Sequence, residues 1–223
     1  MARDRSAARP ARSRQSTSRR AAFRLWAVPT LVIAGLFAGA IGLQTLLAHR
    51  HKTPIGGPYT LIDSANHPTT QARFAGRQTL IYFGYTHCLD VCPLTLATVA
   101  QAYTLLPSER QRPVPLFVTL DPERDRPEDI GLYTRRFSPE IIGLTGTAAQ
   151  IDAVAKAFHV TSHVTIDPMA GHDMSDEGKG DYRIDHSSVL YLMDGQNHLQ
   201  AILPADSSPA AVARALTPYL AKR

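Results

Sequence analysis

An apolar run from Leu80 to Phe83 passes straight into Gly84-Tyr85-Thr86-His87, then into two cysteines, Cys88 and Cys92, and then into Pro93 at the head of a helical pattern. These are the only two cysteines of the 223 residues. A buried strand, a Gly-aromatic turn and a helix start leave little freedom for what the chain can be. Thiols at i and i+4 can lie on one face of a helical turn, so their sulfurs can converge on one metal ion or join in a disulfide. At a helix N-terminus they also meet unpaired N–H groups and the positive end of the dipole, which favour thiolate. Redox chemistry, metal binding and a structural staple are all open on these residues alone.

The pattern around them alternates strands and helices. Tyr59–Asp63 reads as an edge strand and Thr79–Phe83 as a buried one, and Leu94–Leu106 has apolar residues at helical spacing up to Pro107. Val114–Leu120 is a second buried strand, Pro127–Phe137 a helix, Ile141–Leu144 a short strand and Ala148–Phe158 an amphipathic helix. Val189–Met193 and His198–Leu203 flank Asp194-Gly195, a hairpin signal, and a last helix starts at Pro209 behind Ser207-Ser208. A β-α-β unit, a further helix, a hairpin and a closing helix make the thioredoxin layout, a central mixed sheet flanked by helices. The cysteines stand where that layout puts its active dithiol, which speaks against a purely structural disulfide.

Charge divides the chain. Residues 1–24 hold eight arginines against Asp4, a local +7, so the formal net charge of +5 leaves −2 for the remainder. The basic balance belongs to the tail, and nucleic acid is not expected as a partner of the folded part. Residues 25–48 carry no charge, contain Trp26 at their basic end, and at 24 residues suffice to cross a hydrocarbon core of about 30 Å. The expected organisation is a cytoplasmic tail (1–24), a transmembrane anchor (25–48), a Pro- and Gly-containing tether (49–58) and the domain (59–223). Arginine loading implies a single-pass protein of a bacterial inner membrane, N-terminus inside and domain in the periplasm. A cleaved signal peptide is the alternative, although the apolar run exceeds the usual core of roughly 7–15 residues. The pair Arg19-Arg20 does not place Phe23 where a twin-arginine signal would have it.

Three residues between the cysteines, one more than in a thioredoxin dithiol, still permit a disulfide but open the sulfur pair enough for a metal. The third ligand is sought in Asp185-His186-Ser187-Ser188, ahead of the strand Val189–Met193, because in a thioredoxin-like fold that loop faces the head of the first helix. Cys88, Cys92 and His186 form a soft three-ligand set suited to Cu(I), or to Cu(II) with a further weak ligand, whereas structural zinc wants four.

The run Phe83-Gly84-Tyr85-Thr86-His87-Cys88-Leu89-Asp90-Val91-Cys92-Pro93 resembles the signature of the Sco/SenC copper-delivery proteins. Three more blocks match in order: Val118 to Pro127 (Val-Thr-Leu-Asp-Pro-Glu-Arg-Asp-Arg-Pro), Gly143-Leu144-Thr145-Gly146, and Asp185-His186-Ser187-Ser188 with Tyr191-Leu192-Met193-Asp194. The resemblance covers roughly residues 59 to 220. It implies a thioredoxin-like fold, one copper on Cys88, Cys92 and His186, and a part in maturing the copper centre of cytochrome c oxidase subunit II, with a separate protein as copper donor. Arg126 stands where the family often has threonine.

Two functions follow from the same residues. A membrane-tethered metallochaperone needs His186. A thiol–disulfide oxidoreductase that reduces the target's cysteines needs only Cys88 and Cys92. The segment 159–181 holds His159, His163, Met169, His172 and Met174, which could load a second copper or form a solvated loop. Asp90 is expected at the rim of the site, Asp121 as a turn or cap residue, and Arg124 and Asp125 as docking or helix-start charges.

Overall fold

The computed structural model describes residues 32–44, 54–107, 112–166 and 182–220. The chain divides into Met1–Thr53 and Pro54–Arg223. The described part of the first unit is a helix, α1, over residues 32–44, with its apolar side chains exposed. Among the described residues no helix is long and apolar enough to cross a membrane. The outer parts of the expected span 25–48 lie outside the described residues.

The second unit is built on a seven-stranded mixed sheet. Its strands are β1 (Thr60–Asp63), β2 (Pro68–Thr70), β3 (Thr79–Gly84), β4 (Val114–Thr119), β5 (Ile142–Thr145), β8 (Val189–Met193) and β9 (Leu199–Pro204), in the order β2-β1-β5-β4-β3-β8-β9. β3, β4 and β5 run parallel, and the flanking pairs are antiparallel. β1 is therefore not the edge strand its sequence suggests. The three-residue β2, too short to carry a period, pairs outside it.

Every position of β3 and β4 is buried, as expected of central parallel strands covered on both faces. Side chains alternate between two cores. Leu80 and Tyr82 join Leu96 and Val99 of α2 (Val91–Thr104), Ile130 and Tyr133 of α3 (Pro127–Arg135), and Val212 and Leu216 of α5 (Pro209–Leu216). Ile81 and Phe83 point the other way, to Ile151 and Val154 of α4 (Ala148–Ala157) and to Phe158. Phe158 is fully buried against Phe83 and Tyr191.

Helix starts follow local chemistry. Thr147 and Gln150 form a reciprocal capping box on α4, and the Ser208 hydroxyl accepts from the Ala211 N–H to open α5. α2 begins at Val91, three residues before the apolar period suggests, because Pro93 is tolerated inside a first helical turn. Cys92 is thus helical, and Cys88 precedes the helix.

The segment read as a loop after α4 holds a second, two-stranded antiparallel sheet. β6 (Ser162–Ile166) pairs with β7 (Tyr182–His186), with Ser162 opposite His186 and Val164 opposite Ile184. Within the second unit, this hairpin delivers the histidine.

Candidate metal centre

Three elements meet at the C-terminal end of β3. The β3–α2 loop brings Cys88, the first turn of α2 brings Cys92, and the end of β7 brings His186. The histidine is the last residue of a strand and not part of a loop entering β8. Both cysteines are free thiols; Cys92 is buried, while Cys88 and His186 are half-buried.

Gly84 lets Cys92 in. A Cβ at this position would stand 2.8 Å from Cys92 Sγ and 2.9 Å from Phe117 Cε2, so no larger residue fits while the sulfur holds its place. Across the same gap the Tyr82 hydroxyl donates to Cys92 Sγ at 3.7 Å. The Cys92 backbone N–H donates to Cys88 Sγ at 3.4 Å, so a sulfur takes the place of the capping oxygen that Asp90 does not supply. Asp90 is exposed at the N-cap, at the rim as expected.

The two thiols are electrostatically unequal. The Cys92 S–H directed at Cys88, followed by the Cys92 and Asp90 N–H groups and by His186, outweighs partial burial and draws the Cys88 thiol down to about 5. Cys92 moves the opposite way, held protonated by the proton it shares with Cys88 and by its burial. The resting pair is therefore a thiolate at the mouth and a thiol beneath it.

His186 is oriented so that it could take a metal. Its Nδ1 lies 3.1 Å from the Ser187 carbonyl, which can only accept, so the ring proton sits on Nδ1 and the Nε2 lone pair faces Cys92 Sγ at 3.6 Å. Edge contacts from Tyr82 and Tyr85, with centroids 6.2 and 6.3 Å away, hold the ring plane. Bonds of about 2.3 Å to sulfur and 2.0–2.1 Å to nitrogen, meeting at 110–120°, separate the two ligand atoms by about 3.6–3.8 Å. Cys92 and His186 already stand at that separation. The three candidate ligand atoms do not all lie within 4.8 Å of one another, so Cys88, the less buried of the two thiols, would have to move inward for all three to meet one ion.

A second convergence, His87, Asp121 and Asp125, does draw within 4.8 Å, but its oxygens are already used. Asp125 accepts from the Thr86 N–H at 3.0 Å and from the Thr86 and Thr119 hydroxyls, both at 2.5 Å. Asp121 accepts from Arg124 at 2.5 Å and from the Tyr182 hydroxyl at 2.6 Å. Arg124 and Asp125 are therefore internal ties and not docking charges, and Asp121, at the turn where it was expected, joins them; the side chains of Asp121, Arg124 and Asp125 are 2%, 9% and 0% exposed. They bind the cysteine loop and the β6–β7 hairpin to the β4–α3 turn. Of the other candidate copper ligands, His163 is exposed on β6 and His159 follows α4 with a positive φ; Met169, His172 and Met174 lie outside the described residues.

Sequence reasoning missed Tyr82, Gly84 and Tyr85 as parts of the site. The signal was a glycine closing an apolar strand just ahead of the cysteine loop, which marks a close approach of another group.

Comparison with other proteins identifies the family and the fold. The SCO1/SenC family model matches residues 47–221. The sco1 protein of Schizosaccharomyces pombe is 34% identical over 80% of this chain, and the SenC protein of Rhodobacter capsulatus 34% over 74% of it. The chain spans 65% of the length of the S. pombe protein, 71% of SenC and 48% of the human mitochondrial SCO1 homologue, which is 39% identical. Among solved structures, copper-bound ScoI of Bradyrhizobium japonicum is 32% identical with a TM-score of 0.64, covering 74% of this chain and 99% of that one. Copper-bound yeast Sco1 is 30% identical at the same TM-score, covering 74% and 88%. With a thioredoxin-like mixed sheet, a strand–thiol–helix motif and a facing histidine, the chain belongs to the SCO1/SenC family.

Proposed function

We propose that this protein is a copper carrier. It takes one copper ion on Cys88, Cys92 and His186 and gives it by ligand exchange to the copper centre of cytochrome c oxidase subunit II or a similar target. The observation that carries the reading is the Cys92 Sγ–His186 Nε2 separation of 3.6 Å with the imidazole proton turned away onto Ser187. The donor set is two sulfurs and one imidazole, which suits Cu(I). Copper-bound relatives of the same fold support it.

The residues divide the work. Cys88, already a thiolate near neutral pH, is the exposed ligand that first meets incoming copper. Cys92 then gives up its proton and His186 completes the set from the opposite wall. Release reverses this order. An acceptor ligand approaching from solvent reaches the Cys88 side first, and Cys92 takes back a proton as its bond breaks. Because thiolate ligands compete with protons, affinity falls on acidification.

The anchor is part of the reading. An uncharged stretch at 25–48 behind an arginine-rich tail would hold the domain at the outer face of a bacterial inner membrane, close to an integral-membrane target, with a separate protein as copper donor. The low value of Cys88 beside a protonated Cys92 also suits a thiol–disulfide reductase of the target's cysteines, and that is the second reading.

Copper titration of the purified protein tests the first. One copper per chain with a Cu(II)–thiolate charge-transfer band is expected, abolished by Cys88→Ser or Cys92→Ser and weakened and shifted by His186→Ala. Protein that takes up neither Cu(I) nor Cu(II) stoichiometrically overturns it. If oxidase assembly survives His186→Ala unchanged, the reductase reading replaces it.

A further inference from the structure

The β6–β7 hairpin forms a two-stranded sheet of its own, yet it must hold His186 within bonding range of a metal on α2. On β7 the residues Tyr182, Ile184 and His186 share one face by the two-residue period of a strand. Ile184 is buried in the core that contains Cys92 and Tyr85, whereas Arg183 and Asp185 are exposed. The inward face is thus pinned at its middle by burial, and at the His186 end by the Ser187 N–H donating to the Thr161 carbonyl at 3.0 Å.

The Tyr182 end is held by Arg124. Its guanidinium carbon lies 3.6 Å from the centroid of the Tyr182 ring, its Nη2 donates to the Tyr182 carbonyl at 3.2 Å, and its Nε donates to Asp121 Oδ2 at 2.5 Å. The Tyr182 hydroxyl closes the ring of contacts by donating to the other oxygen of Asp121. The same guanidinium lies 5.9 Å from the centroid of Tyr85. Tyr85 in turn contacts the His186 ring edge-on. A planar fork satisfies these partners at once, which the single-point ammonium of lysine cannot do.

We infer that Arg124 is a positioning residue of the metal centre: clasped by Asp121, it holds Tyr182 and backs Tyr85 so that the His186 imidazole stays aimed at Cys92. The inference rests on the copper reading above. Nothing in it requires Arg124 to touch the metal.

A double-mutant cycle in the full-length protein tests it, with Arg124→Lys, His186→Ala and the pair loaded with Cu(I). The readout is the rate of Cu(I) loss to an excess of a coloured chelator. Outer partners of metal-binding histidines are typically worth 10–100-fold in affinity, so Arg124→Lys is expected to speed loss roughly tenfold. In the His186→Ala background it should add nothing, because the residue through which it acts is gone. Additive effects, meaning that the sulfur ligands suffer too, or an unchanged rate, overturn the inference.

Tyr182→Phe keeps the stacking and removes only the bond to Asp121, so it serves as the mild variant should Arg124→Lys fold poorly. It is expected to speed loss two- to threefold, again only when His186 is present. Hydrogen exchange separates this inference from the function on which it rests. If wild-type protein retains no copper, the copper reading fails, and faster exchange of the Ile184 and His186 amides in Arg124→Lys would still support the clasp. Unchanged exchange would end the clasp as well.

Discussion

Removing the Cys92 thiol should return Cys88 toward an ordinary cysteine, and the size of that effect can be worked out. Cys88 titrates at about 5 against an ordinary 9.0, chiefly because the Cys92 S–H points at its sulfur. At pH 5 half of Cys88 is thiolate, whereas a thiol at 9.0 has about one part in ten thousand, a ratio of about 5,000. A less basic thiolate is also a poorer nucleophile, by roughly 40–100-fold over four units at a Brønsted slope of 0.4–0.5. The net advantage of the wild type over a fully relaxed Cys88 at pH 5 is therefore roughly 100-fold. Near pH 7 the thiolate ratio falls to about 100, so the two opposing effects nearly cancel and the rates come within a few-fold. A single rate at neutral pH thus decides nothing, and the profile must be measured. Iodoacetamide labelling of Cys88 from pH 4 to pH 10, followed by mass spectrometry of its peptide, should show a midpoint near 5 in the wild type. In Cys92→Ala the midpoint should climb by at least about one unit, held short of 9.0 by the remaining N–H donors and His186. A wild-type midpoint above about 7, or a profile that Cys92→Ala leaves unmoved, would refute the assignment of Cys88 as resting thiolate and Cys92 as its proton donor.

Further outcomes follow from the same geometry. Loading Cu(I) near pH 7 should release about one proton per copper and not two, because only Cys92 still carries one; calorimetry in buffers of different ionisation enthalpy measures the count. Gly84→Ala forces a Cβ against Cys92 Sγ and Phe117, and should cost about 1–3 kcal/mol in urea unfolding while speeding copper loss. Asp125→Ala strands the Thr86 N–H and the Thr86 and Thr119 hydroxyls, a loss of about 2–4 kcal/mol by the same assay. Thr147→Ala removes the capping box of α4, far from the ligands in sequence, and should cost about 1 kcal/mol with copper retention unchanged.

The central strands were legible because both faces of β3 and β4 are buried, so Leu80–Phe83 and Val114–Val118 read as apolar runs bounded by turn residues. The β8–β9 hairpin was legible from Asp194-Gly195, and α5 from Ser208-Pro209. The β6–β7 hairpin was not, and the reason is its exposure. Residues 162–165 face solvent and each strand offers only two apolar residues, Val164 and Ile166 on β6 and Tyr182 and Ile184 on β7, too few to fix a period, and the 15 residues between Ile166 and Tyr182 hide the pairing. What found His186 was position relative to β8; what it could not supply was the strand that carries it.

The rest of the site escaped a local reading because its ties are long. Asp121-Pro122-Glu123-Arg124-Asp125 has the composition of a solvated turn, and any window centred on it returns one. Its interior status is set by Thr86, 39 residues before Asp125, and by Tyr182, 58 residues after Arg124. A buried charge persists only where its partners are fixed, since removing one leaves an uncompensated ion in a poor solvent. That requirement makes these ties suited to holding ligands that come from separate elements. Cys88 hangs from a loop tied through Thr86 to Asp125, His186 from a hairpin tied through Tyr182 to Arg124, and the two tie points are adjacent residues of one turn. Spacing in the sequence brings the two sulfurs together; the β4–α3 turn is what brings the histidine to them.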